Sequence, residues 1–291
     1  MRSKLSVKLF LVLVLFSFFT FSFTSYSKIL KNKETPGFVQ DQKKSLKKDT
    51  IPITKSIPQK PFVVVLDAGH GGKAPGARGQ YSSEKDITLA ITKKLGDLIN
   101  ATLPDVKVYY TRTEDVSVEF NERTRLANSK KADLFICIHC NSVPKHAHSP
   151  QGVETYVLGL SDENRNLETA KRENGDILLE DNYKQNYDGF DPNSPESYII
   201  FSLFQNHNQK RSYKIASLIE AEMEKAGRIN RGIKQEPLIV LRNTVMPGIL
   251  VETGYISNPE EEVFLNSADG QEILARAILQ ALIQYKNDVF H

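Results

Sequence analysis

Residues 62–72, Phe62-Val-Val-Val-Leu-Asp-Ala-Gly-His-Gly-Gly72, decide the fold. An apolar run rich in β-branched residues stops at a Gly-rich turn. It is too short for a core helix and reads as a strand. Because Phe62 to Leu66 contains no polar position, both faces of that strand need cover, and helices must lie on both sides of its sheet.

Outward from this run the pattern repeats. Short apolar stretches predict strands at Phe62–Leu66, Val108–Thr111, Leu134–His139, Val153–Leu158, Leu238–Leu241 and Ile249–Glu252. Amphipathic stretches separate them, the signature of an α/β domain. Ser83 with Asp86 three residues on forms a capping-box pattern for a helix over Glu84–Ile99, whose stripe is Ile87, Ile91, Leu95 and Leu98. A helix from Asn206 to Ala226 stripes Ile215, Leu218, Ile219 and Met223 and stops at Gly227. Asn258-Pro259-Glu260-Glu261 reads as N-cap, proline at the first helical position and acids in the first turn. A last helix from about Gln271 to Tyr285 buries Leu274, Ile278, Ala281, Leu282 and Tyr285. These elements fit one domain, residues 61–291, large enough to bury a core without a disulfide or a structural metal.

Charge is distributed unevenly. Residues 28–60 carry nine lysines against three acids, whereas 61–291 carry twenty-six basic and thirty-two acidic side chains. A folded body of net negative charge argues against nucleic-acid binding. Arg2, Lys4 and Lys8 precede the apolar run Leu9 to Thr24, which ends at Ser25-Tyr26-Ser27, a small-x-small cleavage pattern. Residues 1–27 are therefore expected to be a signal peptide, with no membrane span after its removal and an envelope or periplasmic destination. An uncleaved anchor is the alternative, since the run nears the roughly 20 residues that a spanning helix needs. Residues 28–60 sustain no periodicity and read as a basic flexible linker. Export permits disulfides, but Cys137 and Cys140 on one strand would stand about 10 Å apart, beyond bonding reach.

The informative polar residues stand where strands end. One apolar run leads into His70, a second ends at His139 and a third at Glu252, while Glu84 opens the helix after the Gly-rich turn. Ligands of open α/β sheets bind outside the carboxyl ends of the strands, so two imidazoles and two carboxylates can converge. His, His and Glu with an open position is a catalytic zinc set. Each residue alone has a plainer reading: a histidine bonded to backbone, an acid facing a helix dipole, half of a buried ion pair. Glu252, directly after Ile249-Leu-Val251, needs a cation, a donor or a task, because an unpaired buried carboxylate costs several kcal/mol. His146, His148, His207 and His291 sit in a loop, at a helix start or at the terminus and are not assigned to metal.

The segments LDAGHGG (66–72), SSEKD (82–86), RTRLAN (123–128), LFICIHCNS (134–142), GVETYVLG (152–159) and RGIKQEPLIVLRNTVMPGILVETGYISNPEEE (231–262) resemble the zinc-dependent N-acetylmuramoyl-L-alanine amidases, peptidoglycan amidases of the cell-separation type. The resemblance implies a mixed, mostly parallel twisted sheet with helices on both faces. It implies Zn2+ held by His70, Glu84 and His139, with Glu252 as the catalytic acid/base. The implied reaction is hydrolysis of the amide between N-acetylmuramic acid and L-alanine of peptidoglycan.

Residues 161–205 form an acidic insertion with ten acids and four bases. Thr169 to Leu179 has helical potential, and Ile199, Ile200, Phe201, Leu203 and Phe204 form an apolar cluster that must dock. Some members of the family this chain resembles that act in cell separation carry an insertion here whose helix lays a glutamate on the zinc and blocks it until a partner protein displaces it. The stretch Ala170-Lys-Arg-Glu-Asn-Gly175 resembles that helix, which makes Glu173 the expected inhibitory carboxylate and Glu180 the fallback. A surface helix with solvated acids is the competing expectation. Competing functions are a zinc peptidase or deacetylase on another envelope substrate, and a wall-binding protein without turnover. The last would predict a missing ligand or base, and all four residues are present.

Overall fold

Strands Phe62–Ala68 (β1), Val106–Tyr110 (β2), Leu134–Asn141 (β3), Val153–Leu158 (β4), Asn230–Glu236 (β5) and Gly248–Tyr255 (β6) form one sheet in the order β2-β1-β3-β6-β4-β5. The β4–β6 pair is antiparallel and the other pairs are parallel, the mixed, mostly parallel sheet that was expected. The computed structural model describes residues 60–144, 150–159, 164–201 and 207–289. The expected signal peptide, nearly all of the linker, His146, His148 and His291 lie outside the described residues. Among those described, no helix is long and apolar enough to cross a membrane.

The period of two along each strand divides the core. Val64, Leu66, Ile136, Ile138, Ile249 and Val251 pack against helices Glu84–Thr102 (α1), Gln209–Lys225 and Ala268–Val289, through Ile87, Ile91, Ile215, Ile219, Leu274 and Ile278. Val63, Val65, Phe135, Cys137 and Leu250 meet helix Phe120–Ser129 (α2) and the insertion on the opposite face, through Phe120, Ala127, Ala170 and Ile177. The alternation carries on to the strand ends. His139, two residues beyond Cys137, and Glu252, two beyond Leu250, therefore point to the face that the insertion covers. Cys137 and Cys140 are buried and free.

The insertion is largely helical: Asn164–Asn174 (α3), a 3-10 turn Gly175–Leu179, Tyr183–Asn186 (α4) and Pro195–Phe201 (α5). In the apolar cluster Phe201 is buried, whereas Ile199 and Ile200 are exposed; Leu203 and Phe204 lie outside the described residues. The helix expected from Asn206 runs over Gln209–Lys225 (α6), with His207 in the turn before it. Leu238–Leu241, expected as a strand, is instead part of the single-turn helix Ile239–Arg242 (α7). The strand on that side is β5, in the more polar segment before it. Asn174 of the insertion fixes the short helix, accepting from Ile239 N at 2.9 Å and donating to Pro237 O at 2.8 Å. At the start of α1 the Ser83 side chain makes no capping bond. The first turn is tied down instead by backbone bonds from Glu84 N to Ala77 O and Lys85 N to Pro75 O. Asn258 does cap Pro259–Asn266 (α8), accepting from Glu260 N and Glu261 N, and Ala268–Val289 (α9) completes the order.

One core position on α6 makes stability depend on pH. Glu220 is buried, accepts from Thr155 Oγ1 at 2.6 Å and leaves Oε2 without a partner. Burial, with repulsion from Glu154, pushes its carboxyl up from 4.5 to about 7. A group raised on folding stabilises the fold below its unfolded value and loses that contribution as pH rises through the folded value. Glu220→Gln, which keeps the acceptor for Thr155, should therefore gain about 2–3 kcal/mol at pH 8 and little at pH 5 in urea unfolding. An equal gain at both pH values would contradict the assignment.

Candidate metal centre

The turn after β1 is a strained and tightly held piece of backbone. His70 sits at φ 59°, a left-handed conformation rare for a residue with a side chain, and Gly71 and Gly72 follow at φ 121° and 56°. Two buried arginines hold the carbonyls of this turn. Arg123 donates to His70 O at 2.8 Å and to Ala68 O at 2.9 Å, and Arg112 to Ala68 O at 2.9 Å and Gly69 O at 2.8 Å. Arg123 also pairs with the fully buried Asp67 at 2.7 Å; burial alone would raise that carboxyl, and the guanidinium together with hydrogen bonds from Cys137 and Thr111 more than reverses it. The strain at His70 is thus held by a fixed lattice of donors.

Neighbouring strands bring the next side chains alongside. His139 of β3 stands in register with Glu252 of β6, which stands in register with Glu154 of β4. A register shift between His139 and Asn141 marks a β-bulge, a common device for re-aiming side chains. The two imidazole rings lie edge to face, 4.7 Å between centroids. This approach depends on Gly69, since a Cβ there would come within 2.3 Å of His139 Nε2. From α1, the buried carboxylate of Glu84 reaches both rings, at 3.1 Å from His70 Nε2 and 3.0 Å from His139 Nδ1. It also accepts from Ala77 N and Cys140 N.

Glu173 of α3 completes the group. Its Oε2 lies 2.9 Å from His139 Nδ1 and 3.4 Å from His70 Nε2. One donor atom each from His70, Glu84, His139 and Glu173 falls within 4.8 Å of the others, all four residues buried. Of these atoms, His70 Nε2 and Glu173 Oε2 have no hydrogen-bond partner despite complete burial. His139 Nδ1 does meet a Glu84 oxygen at 3.0 Å, but the unsatisfied His70 Nε2 and Glu173 Oε2, 3.4 Å apart, fit a shared cation better than a completed hydrogen-bonded network. The donor set, two imidazoles with carboxylates, suits zinc. Burial would lower both histidines, but Glu84, Asp176 and Glu173 around His70, and Cys137 and Glu173 around His139, more than offset it and hold both well above their usual range. Because a metal needs neutral imidazoles, its affinity should rise with pH and its binding should release protons, measurable by calorimetry in buffers of different ionisation enthalpy.

Glu252 is buried beside this group, with Oε2 unpartnered and Oε1 3.4 Å from Arg172 Nη2. Burial, then the repulsion of Glu173, pushes its carboxyl well above the ordinary range. Arg172 also pairs with Glu173 at 2.8 Å and donates to Ser142 O and Asn141 Oδ1. The fallback Glu180 is turned away, accepting from Phe120 N and Tyr187 OH. Sequence reasoning missed Arg172, Asp176, Asn141 and Glu154. Asp176 accepts at 2.7 Å from the far nitrogen of His70, and Glu154 takes bonds from Asn141, Tyr156, Tyr255 and Arg231 beside the site. Glu154 and Arg172 stood within recognised motifs, without a periodicity or strand end to mark them.

Fold and site define a class: an α/β protein with a His/Glu cluster suited to a divalent metal at the carboxyl edge of its sheet. A profile described as N-acetylmuramoyl-L-alanine amidase matches residues 64–284. The N-acetylmuramoyl-L-alanine amidase AmiC of Escherichia coli O6:H1 is 32% identical over 267 residues, covering 87% of this chain and 61% of the relative. AmiA of Escherichia coli K12 is 30% identical over 228 residues, covering 77% and 75%. The crystal structure of an N-acetylmuramoyl-L-alanine amidase from Clostridium difficile 630 superposes with a TM-score of 0.59 at 25% identity, covering 79% of this chain and all of that one. The chain belongs to the N-acetylmuramoyl-L-alanine amidase family. It spans about three fifths of the AmiC relative's length.

Proposed function

We propose that this protein hydrolyses the amide between N-acetylmuramic acid and the L-alanine of the peptidoglycan stem peptide. It does so as a zinc enzyme of the cell envelope, exported by residues 1–27, with residues 28–60 as a flexible basic linker. The observation that carries the reading is the meeting of His70 Nε2, His139 Nδ1 and Glu84, with Glu252 in register beside His139. These three side chains would hold the ion, which when bound supplies Lewis acidity toward the amide carbonyl and lowers the pKa of a bound water toward about 7. Glu252 takes the proton from the attacking water and returns it to the leaving amine, a role worth typically ~10²–10⁴-fold. Burial suits it to both tasks, because it holds the carboxyl well above the ordinary carboxylate range and so makes the proton less readily lost to solvent.

Glu173 supports a regulated version of this enzyme. Catalytic zinc sites keep a position open for water, whereas a fourth protein ligand closes the tetrahedron. With Glu173 in the cluster and Arg172 on Glu252, the insertion opposes both the open position and the base. An activator protein that draws α3 away would restore both, which suits controlled wall cutting during daughter-cell separation. Glu173→Ala should raise peptide release from purified wall about tenfold or more, equivalent to about 1.4 kcal/mol of lost inhibition. An unchanged rate would remove the gate and leave the amidase reading standing. The chemistry itself is tested by mass analysis of products from purified wall. Stem peptides beginning in L-alanine, with intact glycan strands, are expected; cleavage within the peptide or loss of N-acetyl groups would contradict the substrate.

A further inference from the structure

Asp176 lies on the insertion, three residues beyond Glu173, yet it reaches the opposite side of the centre. Its Oδ2 is 2.7 Å from His70 Nδ1, while His70 Nε2 faces Glu84 and Glu173. A carboxylate on one ring nitrogen retains the proton there and leaves the other nitrogen's lone pair free to point inward. His70 Nε2 is buried without a hydrogen-bond partner. Among the described residues, Asp176 is the carboxylate bonded to the far nitrogen of His70. The segment carrying it is pinned on both sides, by Asn174 to Pro237 O and Ile239 N, and by Glu180 to Phe120 N. One short piece of the insertion thus reaches the centre twice, with a donor atom into the cluster and a support behind one of its histidines.

We propose that Asp176 is the positioning residue of His70 and that the segment Arg172 to Asp176 is a metal-coupled latch, tightening the ion while closed and held closed by it. The inference rests on the metal reading of the cluster and deepens it. When the latch opens, the centre loses the Glu173 oxygen and the support of His70 together. The accessible form of the enzyme therefore holds its zinc less tightly than the covered form. Coupling of binding free energies is reciprocal, so whatever factor the closed latch adds to zinc affinity, zinc adds to latch closure. A partner that opens the latch works against the ion as well as against the packing of α3. Scarce zinc then leaves the latch looser, in a protein that has lost its metal.

The test uses the whole chain and two readouts besides turnover. Zinc affinity is measured by competition with a chelator, and hydrogen exchange of residues 164–179 is followed with and without zinc. Asp176→Asn should weaken zinc about 10–100-fold, the usual loss on disturbing a ligand's outer partner. Asn174→Ala, which touches neither histidine, should weaken zinc in the same direction by freeing the latch. In the unmodified protein zinc should slow exchange across 164–179, and in Asp176→Asn that slowing should shrink. Unchanged zinc affinity in both variants, or exchange in 164–179 indifferent to zinc, overturns the inference. An unmodified protein that takes up no zinc overturns the metal reading itself, and the latch with it.

Discussion

Glu252→Gln should abolish most turnover while leaving metal content and fold intact. Glutamine matches the carboxylate in size, and its oxygen can still accept from Arg172, so the local packing at the end of β6 survives. What it cannot do is take a proton from water or return one to an amine. The expected loss is ~10²–10⁴-fold in the rate of peptide release from wall. Substrate affinity should change far less, because the proton moves only in the transition state. A variant that keeps near-wild-type hydrolysis would show that another group is the base, and the proposed chemistry would have to be abandoned.

His139→Ala should fail one step earlier, at the metal. His139 Nδ1 lies 3.0 Å from Glu84 and 2.9 Å from Glu173, so its removal leaves two buried carboxylates facing each other across an empty corner. With His139 gone, the ion keeps one imidazole, Glu84 and, while the insertion is closed, Glu173, and zinc affinity should fall at least about 10²-fold, more than an outer partner costs. Zinc should be absent after dialysis, and wall hydrolysis should fall to background. The strand should survive, since β3 is secured by its buried Leu134 to Ile138 run between β1 and β6. Retained stoichiometric zinc in this variant would place the ion elsewhere.

What was legible in the sequence follows from which signals burial leaves on a chain. Strands β1, β3 and β6 are covered on both faces, so they are apolar throughout, and a polar residue at the end of such a run is conspicuous. That is how His70, His139 and Glu252 stood out. β5 escaped notice because it is a half-exposed edge strand, Asn-Arg-Gly-Ile-Lys-Gln-Glu, with a single aliphatic residue and no alternation to read. Leu238–Leu241 misled for the opposite reason: four apolar residues in a row fit a buried helical turn as well as a strand, and the bonds from Asn174, far away in sequence, that hold the turn leave no mark on local pattern. Arg172, near the end of α3, and Asp176, in the 3-10 turn after it, look like ordinary surface charges of the insertion. Their importance comes from where the insertion docks, which local pattern does not encode.

The central claim is that one divalent ion sits where His70, His139 and Glu84 meet. Diffraction from crystals of the purified protein, recorded on both sides of the zinc absorption edge, tests it directly. The expected result is a single anomalous peak bonded to His70 Nε2, His139 Nδ1 and a Glu84 oxygen, present above the edge and lost below it. A zinc-loaded crystal with no peak there, or with its peak at another set of side chains, would contradict the account.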